Sequence, residues 1–598
     1  MFQNFDTATR PDQGPPRLAR LRAALKRDGL NGFLVPRSDA FQGEYVAKAD
    51  ERLAWLTGFT GSAGFCAALQ GNAGVFVDGR YRVQVRAQVD TDAFSPVNWP
   101  ETSLADWLKS QLPAGGKIGF DPWLHTAAEI EKTRTELADA GVSLRPSDNL
   151  IDRVWTDKPS RPAEPAVAQP IAFSGQTSAD KRAECAAALG TSGHRAAVVT
   201  LPDSICWLLN MRGTDIAHNP VVQCFAILFD DGRVTLFSDI AKFDAFEQDR
   251  GVELSDWAAF EPALKALTGP VRIEKSSAPV AISDILNDQG ISVAWGDDPC
   301  SMPKACKNAT EIAGTKEAHL RDGAAMVAFL AWFDENAARG QLTEIDIVTR
   351  LETERRATNA LRDISFDTIA GTGANGAVIH YRVTKETNAR LKDGQLIVVD
   401  SGGQYQDGTT DITRTLAIGE PGLEERRCFT RVLQGMIAIS QARFPVGVSG
   451  AHLDALARAP LWLAGQDYDH GTGHGVGAYL SVHEGPQRLA RSSTVPLKPG
   501  MILSNEPGYY REGAFGIRIE NLIVVTPAPP LEGADDRKMY AFETLTFVPI
   551  ARNLIDISML SAQERSWINT YHAAVFEQIG PRVTGATNDW LAAATAPL

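Results

Sequence analysis

Hydrophobic and polar positions fall into two regimes along this chain. Up to roughly residue 300, segments with apolar residues at helical spacing alternate with short apolar runs of strand length. RLARLRAALKRDG (17–29) predicts a helix and GFLVP (32–36) a buried strand; Ser38-Asp39, RLAWLTGFTG, the strand GFCAAL and GVFVDGRY (74–81) come next. The same series of signals returns later: helix DKRAECAAALG (180–190), strand AAVVTLP, Asp203-Ser204, SICWLLNMRG, strand CFAILF, Asp230-Asp231-Gly232 and RVTLFSD. In each stretch a tryptophan (Trp55, Trp207) precedes a glycine (Gly61, Gly213) by six positions. Strand, Asp-Gly turn, strand predicts a hairpin in both. Alternating helices and strands predict α/β layers, and the shared order predicts a duplicated module.

The second regime opens with a long helix, NATEIAGTKEAHLRDGAAMVAFLAWFDENAARG, whose closing glycine after Arg339 suits a helix C-terminus. A second helix, EIDIVTRLETERRATN, comes after it, and the pattern then turns to short strands and glycine-rich turns. Breaks separate these regions. DKPSRPAEPAVAQP (157–170) holds four prolines and reads as a linker; GDDPCSMPKACKNA (296–309) is a weaker break. The expected organisation is α/β (α+β): a first module over 1–157, a linker over 158–171, a second module over 172–305 and a larger domain over 306–598.

Composition narrows the function classes. With 44% hydrophobic and 22% charged residues the chain is globular in character, and its net charge of −14 without a basic run argues against a nucleic-acid partner. No apolar run approaches the roughly 18 residues of a membrane span, and no secretory leader is evident at the start. The seven cysteines are scattered and form no CxxC, which fits a reducing compartment, so a cytoplasmic protein is expected.

The candidate chemistry lies in the last two hundred residues. LIVVDSGGQYQDGTTDITRT places Asp400 at the end of an apolar strand and Asp411 eleven residues on. A hairpin turning on Asp407-Gly408 would set the two acids four residues apart along the ladder, about 13 Å. A turn near Tyr405-Gln406 would set them face to face, with Asp407-Gly408 in a bulge; this second register is preferred because buried carboxylates need partners or an ion. In MILSNEPGYYREGAFGIRIENLIVV, Glu506 and Glu520 are fourteen apart with Gly513 midway, so a hairpin there sets the glutamates opposite each other. The apolar runs flanking them predict strands buried on both faces.

Four strand carboxylates in two facing pairs are self-repulsive unless cations join them. Two hard divalent ions carry +4 against −4 and would account for the set. A histidine supply lies nearby: HGTGHGVGAYLSVHEGP (470–486) holds three of the ten histidines. Its glycines argue against a helical HExxH-type motif and favour a turn that brings the backbone close to an ion.

At these residues the chain resembles the cytosolic-type Xaa-Pro aminopeptidases (aminopeptidase P) of the pita-bread metallopeptidase family, which includes prolidase, creatinase and methionine aminopeptidase. The similarity spans essentially the whole chain, including two creatinase-like N-terminal modules ahead of a pita-bread catalytic domain. The resemblance implies five ligands for two divalent ions: Asp400 in VVDSG, Asp411 in GTTDITRT, His474 in HGTGHGVG, Glu506 in NEPGYY and Glu520 in IRIEN. It implies that Asp411 and Glu520 bridge the ions, that His474 and Glu506 serve one, and that Asp400 serves the other. Carboxylate-rich ligation favours Mn²⁺, with Zn²⁺ or Co²⁺ as alternatives. It further implies a substrate-facing set of Arg80 in VDGRY, His380 in GAVIHYRVT, His470, His474 and His483 in SVHEGP. The implied activity is release of the N-terminal residue from peptides with proline second. His483 and His380 would donate to the oxyanion or peptide carbonyls, and Glu506 would carry the proton to the proline nitrogen. A homodimer is implied. The alternatives are a prolidase-like Xaa-Pro dipeptidase, opposed by the two-module N-terminal half, and a non-catalytic peptide-binding protein on the same fold, opposed by the intact ligand set.

Overall fold

In the computed structural model, which describes residues 1–247 and 249–598, the two N-terminal stretches fold on one plan. The first forms a six-stranded sheet in the order Ser95–Asn98, Ala73–Val77, Phe65–Leu69, Gly32–Pro36, Gly116–Phe120, Val142–Pro146. The second repeats it with Val252–Asp256, Val234–Ser238, Phe225–Phe229, Ala196–Val199, Val271–Ile273 and Val293–Trp295. In both, the third strand of this order runs antiparallel to its two neighbours and every other pairing is parallel. Identical order and direction through six strands is the structural form of the repeat read from the sequence.

One hairpin expectation fails. Asp230-Asp231-Gly232 does turn a hairpin, with Leu228 opposite Val234. Its counterpart Asp78-Gly79 does not: the first hairpin turns earlier, at Gln70–Asn72 between Phe65–Leu69 and Ala73–Val77. Asp78 instead accepts a hydrogen bond from Arg80 N and caps a 3-10 turn, Gly79–Tyr81, that runs into helix Arg82–Gln88. An aspartate can serve either end of a turn, and here the capping use wins.

Both modules lie in one compact unit, Ala8–Ile171 with Gln176–Met302; the other unit holds Met1–Thr7, Ala172–Gly175 and Pro303–Leu598. The long helix of this unit is Ala309–Asn336. Asn308 accepts from Thr310 N and Glu311 N while Glu311 answers Asn308 N, so three backbone donors at the helix start are satisfied. After one 3-10 turn the helical segment ends at Gly340, whose φ of 67° favours glycine. Helix Glu344–Ala357 is next, and then the sheets. A three-stranded sheet joins Ile369–Thr372, Leu396–Ser401 and Ile412–Ala417. A six-stranded one runs Arg443–Pro445, Met539–Thr544, Asn521–Pro527, Ile502–Asn505, Gly473–Gly475, Glu484–Leu489. Every residue of Leu396–Ser401 is buried, as are the first five of Asn521–Pro527, so these strands are covered on both faces. Phe429, Leu433 and Met436 of helix Leu423–Ser440 close one side of this core against Ile517 and Ile519.

The registers decide where the carboxylates go. For Asp400 and Asp411 the pairing lies between the two expected registers: Tyr405 faces Gly408 across a turn on Gln406-Asp407, and Asp400 faces Thr413. The reason is tertiary. Asp407, the second residue of the turn, is held there by Arg321 of the long helix, at 3.0 and 2.9 Å, so Asp407-Gly408 is neither the two-residue turn nor a bulge. Asp411 therefore stands two residues from Asp400's partner, a diagonal neighbour on the same face. The second hairpin matches its expectation. Gly508 faces Arg518 and Asn505 faces Asn521, which sets Glu506 level with Glu520 between the two paired segments. Among the described residues no helix is long and apolar enough to cross a membrane, and none of the seven cysteines is in a disulfide.

Candidate metal centre

Thr413 is the hinge of the acidic cluster. It pairs with Asp400 across the sheet, its carbonyl accepts from Glu520 N at 3.1 Å, and its hydroxyl donates to Glu520 Oε2 at 2.8 Å. One threonine thus fixes two acids that are 120 positions apart in the chain. On the facing side Thr472 O accepts from Glu506 N at 2.8 Å, and Ser504 Oγ links His474 N (2.9 Å) to Glu506 Oε1 (3.0 Å). Glycine is needed in this loop because a Cβ on Gly473 would lie 1.9 Å from Ser504 O.

Together these strands bring six of the predicted residues into one small volume. Ligand atoms of Asp400, Asp411 and Glu520 lie within 4.8 Å of one another, as do those of His474, Glu506 and Glu520, and those of Asp411, His474 and His483. Glu520 and Asp411 each belong to more than one group, so the volume offers two adjoining cation positions with shared carboxylates. His474 Nδ1 lies 2.9 Å from Gly475 O. A carbonyl only accepts, so Nδ1 carries a hydrogen, while Nε2 faces Glu506 Oε1 at 3.3 Å and Asp411 Oδ2 at 3.5 Å.

The electrostatics favour cations here. Burial, reinforced by Asp400, holds the Asp411 carboxyl well above the usual range. Burial and then Asp411 do the same to Glu520. Glu506 is raised by burial, against the pull of His474. Asp400 Oδ1, Asp411 Oδ1 and Glu520 Oε1 are buried with no hydrogen-bond partner. Buried oxygens are rarely left so, and three in one volume fit hard divalent ions.

Sequence reasoning missed a cation that the chain itself provides. Arg518 is buried and donates to Asp400 Oδ2 (2.6 Å), Tyr510 OH (2.6 Å) and Thr413 Oγ1 (3.3 Å). Burial opposes its charge, but Tyr510 and Asp400 outweigh that, so the guanidinium stays ionised. Tyr510, pushed up to about 12 by burial, stays neutral and stands 2.9 Å from His470 Nε2. The signal was present: Arg518 is two positions before Glu520 in IRIEN, where a net-negative cluster needs a counter-ion. His470 thus connects to Asp400 through Tyr510 and Arg518. His380 sits half-buried in the turn after the 3-10 segment Gly373–Ala377. Arg80 lies in the N-terminal unit, paired with Asp78 at 2.7 Å.

Comparison with known proteins bears on all of this. The model of metallopeptidase family M24 matches residues 313–527, and that of the C-terminal region of peptidase M24 matches 538–598. Two models of the creatinase/prolidase N-terminal domain match 17–154 and 157–311. A probable Xaa-Pro aminopeptidase P of Laccaria bicolor is 39% identical over 97% of this chain and 93% of its own length. Aminopeptidase P2 of Arabidopsis thaliana is 37% identical over 95% of this chain and 86% of its own. Among solved structures, X-prolyl aminopeptidase from Caenorhabditis elegans, a cytosolic enzyme with a di-nuclear active site, superposes with a TM-score of 0.92 at 32% identity, over 98% of this chain and 99% of that one.

Proposed function

The chain belongs to metallopeptidase family M24, and on that premise we propose that it releases the N-terminal residue from peptides with proline at the second position. Two divalent ions would be held by Asp400, Asp411, His474, Glu506 and Glu520, with Asp411 and Glu520 shared; the oxygen-rich donor set favours Mn²⁺. When bound, the ions supply a Lewis acid for the scissile carbonyl and activate water at neutral pH. The observation that carries the reading is the convergence of these five side chains with three buried carboxylate oxygens that have no hydrogen-bond partner.

The chain's own residues do the rest. Arg518 fixes Asp400 and balances part of the negative charge. Ser504 holds Glu506 with one oxygen, leaving the other to carry a proton toward the leaving nitrogen. That nitrogen belongs to a tertiary amide and carries no N–H, so recognition rests on the shape of a ring pocket to which His470 contributes. His483, whose ring centre is 4.2 Å from that of His474, would donate to the developing oxyanion, and His380 would serve the peptide. Cytoplasmic residence is consistent with seven cysteines outside disulfides. A homodimer would cover apolar side chains that helix Gly450–Trp462 and its end leave in solvent, Leu456, Trp462 and Leu463; sedimentation at micromolar concentration tests it, a monomer excluding it.

The deciding experiment compares an Xaa-Pro-Yaa tripeptide with an Xaa-Pro dipeptide, with and without added Mn²⁺. Metal-dependent cleavage of the tripeptide supports the proposal. Cleavage of the dipeptide alone supports prolidase, and metal uptake without cleavage of either supports a binding protein.

A further inference from the structure

Beside the candidate centre lies a second set of buried charges that the proposed chemistry does not use. Glu484, the residue after His483, is 1% exposed; Lys304 and Lys307 are 3% and 5% exposed. Lys307 Nζ bonds Glu484 Oε2, and Lys304 Nζ stands 3.7 Å from Oε1. Such a trio is a poor stability device. Desolvating each ion costs several kcal/mol, and apolar residues of equal volume are often as stable or more so. Its placement is what calls for a reason.

Glu484 opens strand Glu484–Leu489 and pairs with Gly475, the neighbour of His474. The approach is close: a Cβ on Gly475 would lie 2.4 Å from Glu484 O, and one on Gly477 3.1 Å from Glu484 Oε1. The carboxylate therefore sits against the turn that joins His474 to His483. The lysines arrive from a different part of the chain. Lys304 is in the short helix Ser301–Ala305, and Lys307 immediately precedes Asn308, the cap of the 28-residue helix. Lys307 N also donates to Gly500 O at 3.1 Å, and Cys306 bridges Met501, one residue before the strand that leads to Glu506. One ion pair thus ties the histidine turn to both the long helix and the glutamate strand.

Resting on the aminopeptidase reading, we propose that Glu484 and Lys307 are positioning residues that hold His483 at the distance from His474 at which its imidazole meets the oxyanion. Neither residue is a candidate ligand, so their loss leaves metal uptake intact. Losing one oxyanion donor costs roughly 10²–10³ in kcat, and a misplacement near 1 Å about 10²; a loosened His483 should therefore cost about 10- to 100-fold in kcat.

Three variants test this: Glu484→Gln, which keeps shape and an acceptor; Lys307→Met; and the combined variant Glu484→Met/Lys304→Met/Lys307→Met, which removes the carboxylate together with both lysines that face it. Bound metal, melting temperature, kcat and KM are measured on Xaa-Pro-Yaa, and crystal structures give the His474–His483 separation. The expected result is full metal content in all three, kcat down 10- to 100-fold with KM within about threefold, and a combined variant that regains melting temperature without regaining kcat. A purely structural pair would lose melting temperature and regain kcat with it. Variants that hold metal and keep kcat within twofold of the parent overturn the proposal. So does an unchanged ring separation, whatever the activity. An inactive parent would count against the aminopeptidase reading instead, leaving the crystallographic arm to decide the positioning claim.

Discussion

Replacing His572 with glutamine should flatten the acid side of the stability profile. His572 lies in helix Ala562–Ile579, fully buried, and its Nε2 accepts a hydrogen bond from Ile550 N at 3.1 Å. That bond requires a bare nitrogen. Burial first, then Arg552 and Arg414, push its pKa from 6.5 down to about 4. Arg414 donates to Glu520 O, so the added charge would fall against a group that props the candidate centre. Between pH 6.5 and 4 the unfolded chain takes the proton and the folded chain does not, so stability falls as pH falls through that window and is complete above it. At about 1.36 kcal/mol per pH unit the loss is about 3 kcal/mol, or about 6 °C at the roughly 2 °C per kcal/mol of a domain this large. Glutamine can accept from Ile550 N without titrating. Calorimetric melting of both proteins from pH 7 to 4.5 isolates this residue, because every other titration cancels in the difference. The parent should lose several degrees more than the variant. Parallel curves would show that His572 is not held neutral by its burial.

The centre itself yields two further expected outcomes. Arg518→Lys keeps the charge and loses the fork that reaches Asp400, Tyr510 and Thr413 together, so kcat should drop about 10- to 100-fold with bound metal retained, read by steady-state kinetics beside elemental analysis. Chelation should lower the melting temperature of the C-terminal unit, since ions at 100 times their Kd contribute about 2.7 kcal/mol; calorimetry with and without Mn²⁺ checks this, and an unchanged melting temperature would contradict the cation reading.

How much of the site is legible in the sequence depends on how local each determinant is. The fourteen-residue interval from Glu506 to Glu520, with Gly513 midway, carries its own register because strand pairing on both sides of the acids obeys it. The Asp400–Asp411 hairpin does not, because its turn is set by Arg321 on a distant helix, and no nearby residue announces that contact. Asp78-Gly79 misleads for a related reason: the same dipeptide serves a hairpin or a helix start, and the residues after it decide which. Tyr510 escaped notice because its importance appears only when His470 and Arg518 are folded against it. Glu484 and its lysines are 177 positions apart or more, and nothing in HEGP shows that the glutamate turns inward to meet them.

Elemental analysis of the purified chain, run beside Xaa-Pro-Yaa cleavage, tests the paired-cation centre most directly. Two divalent ions per chain are expected, falling to one or none in Glu520→Gln and Asp411→Asn together with loss of cleavage. A parent that cleaves while holding no metal, or a Glu520→Gln variant that keeps both ions and full activity, would contradict a paired-cation centre.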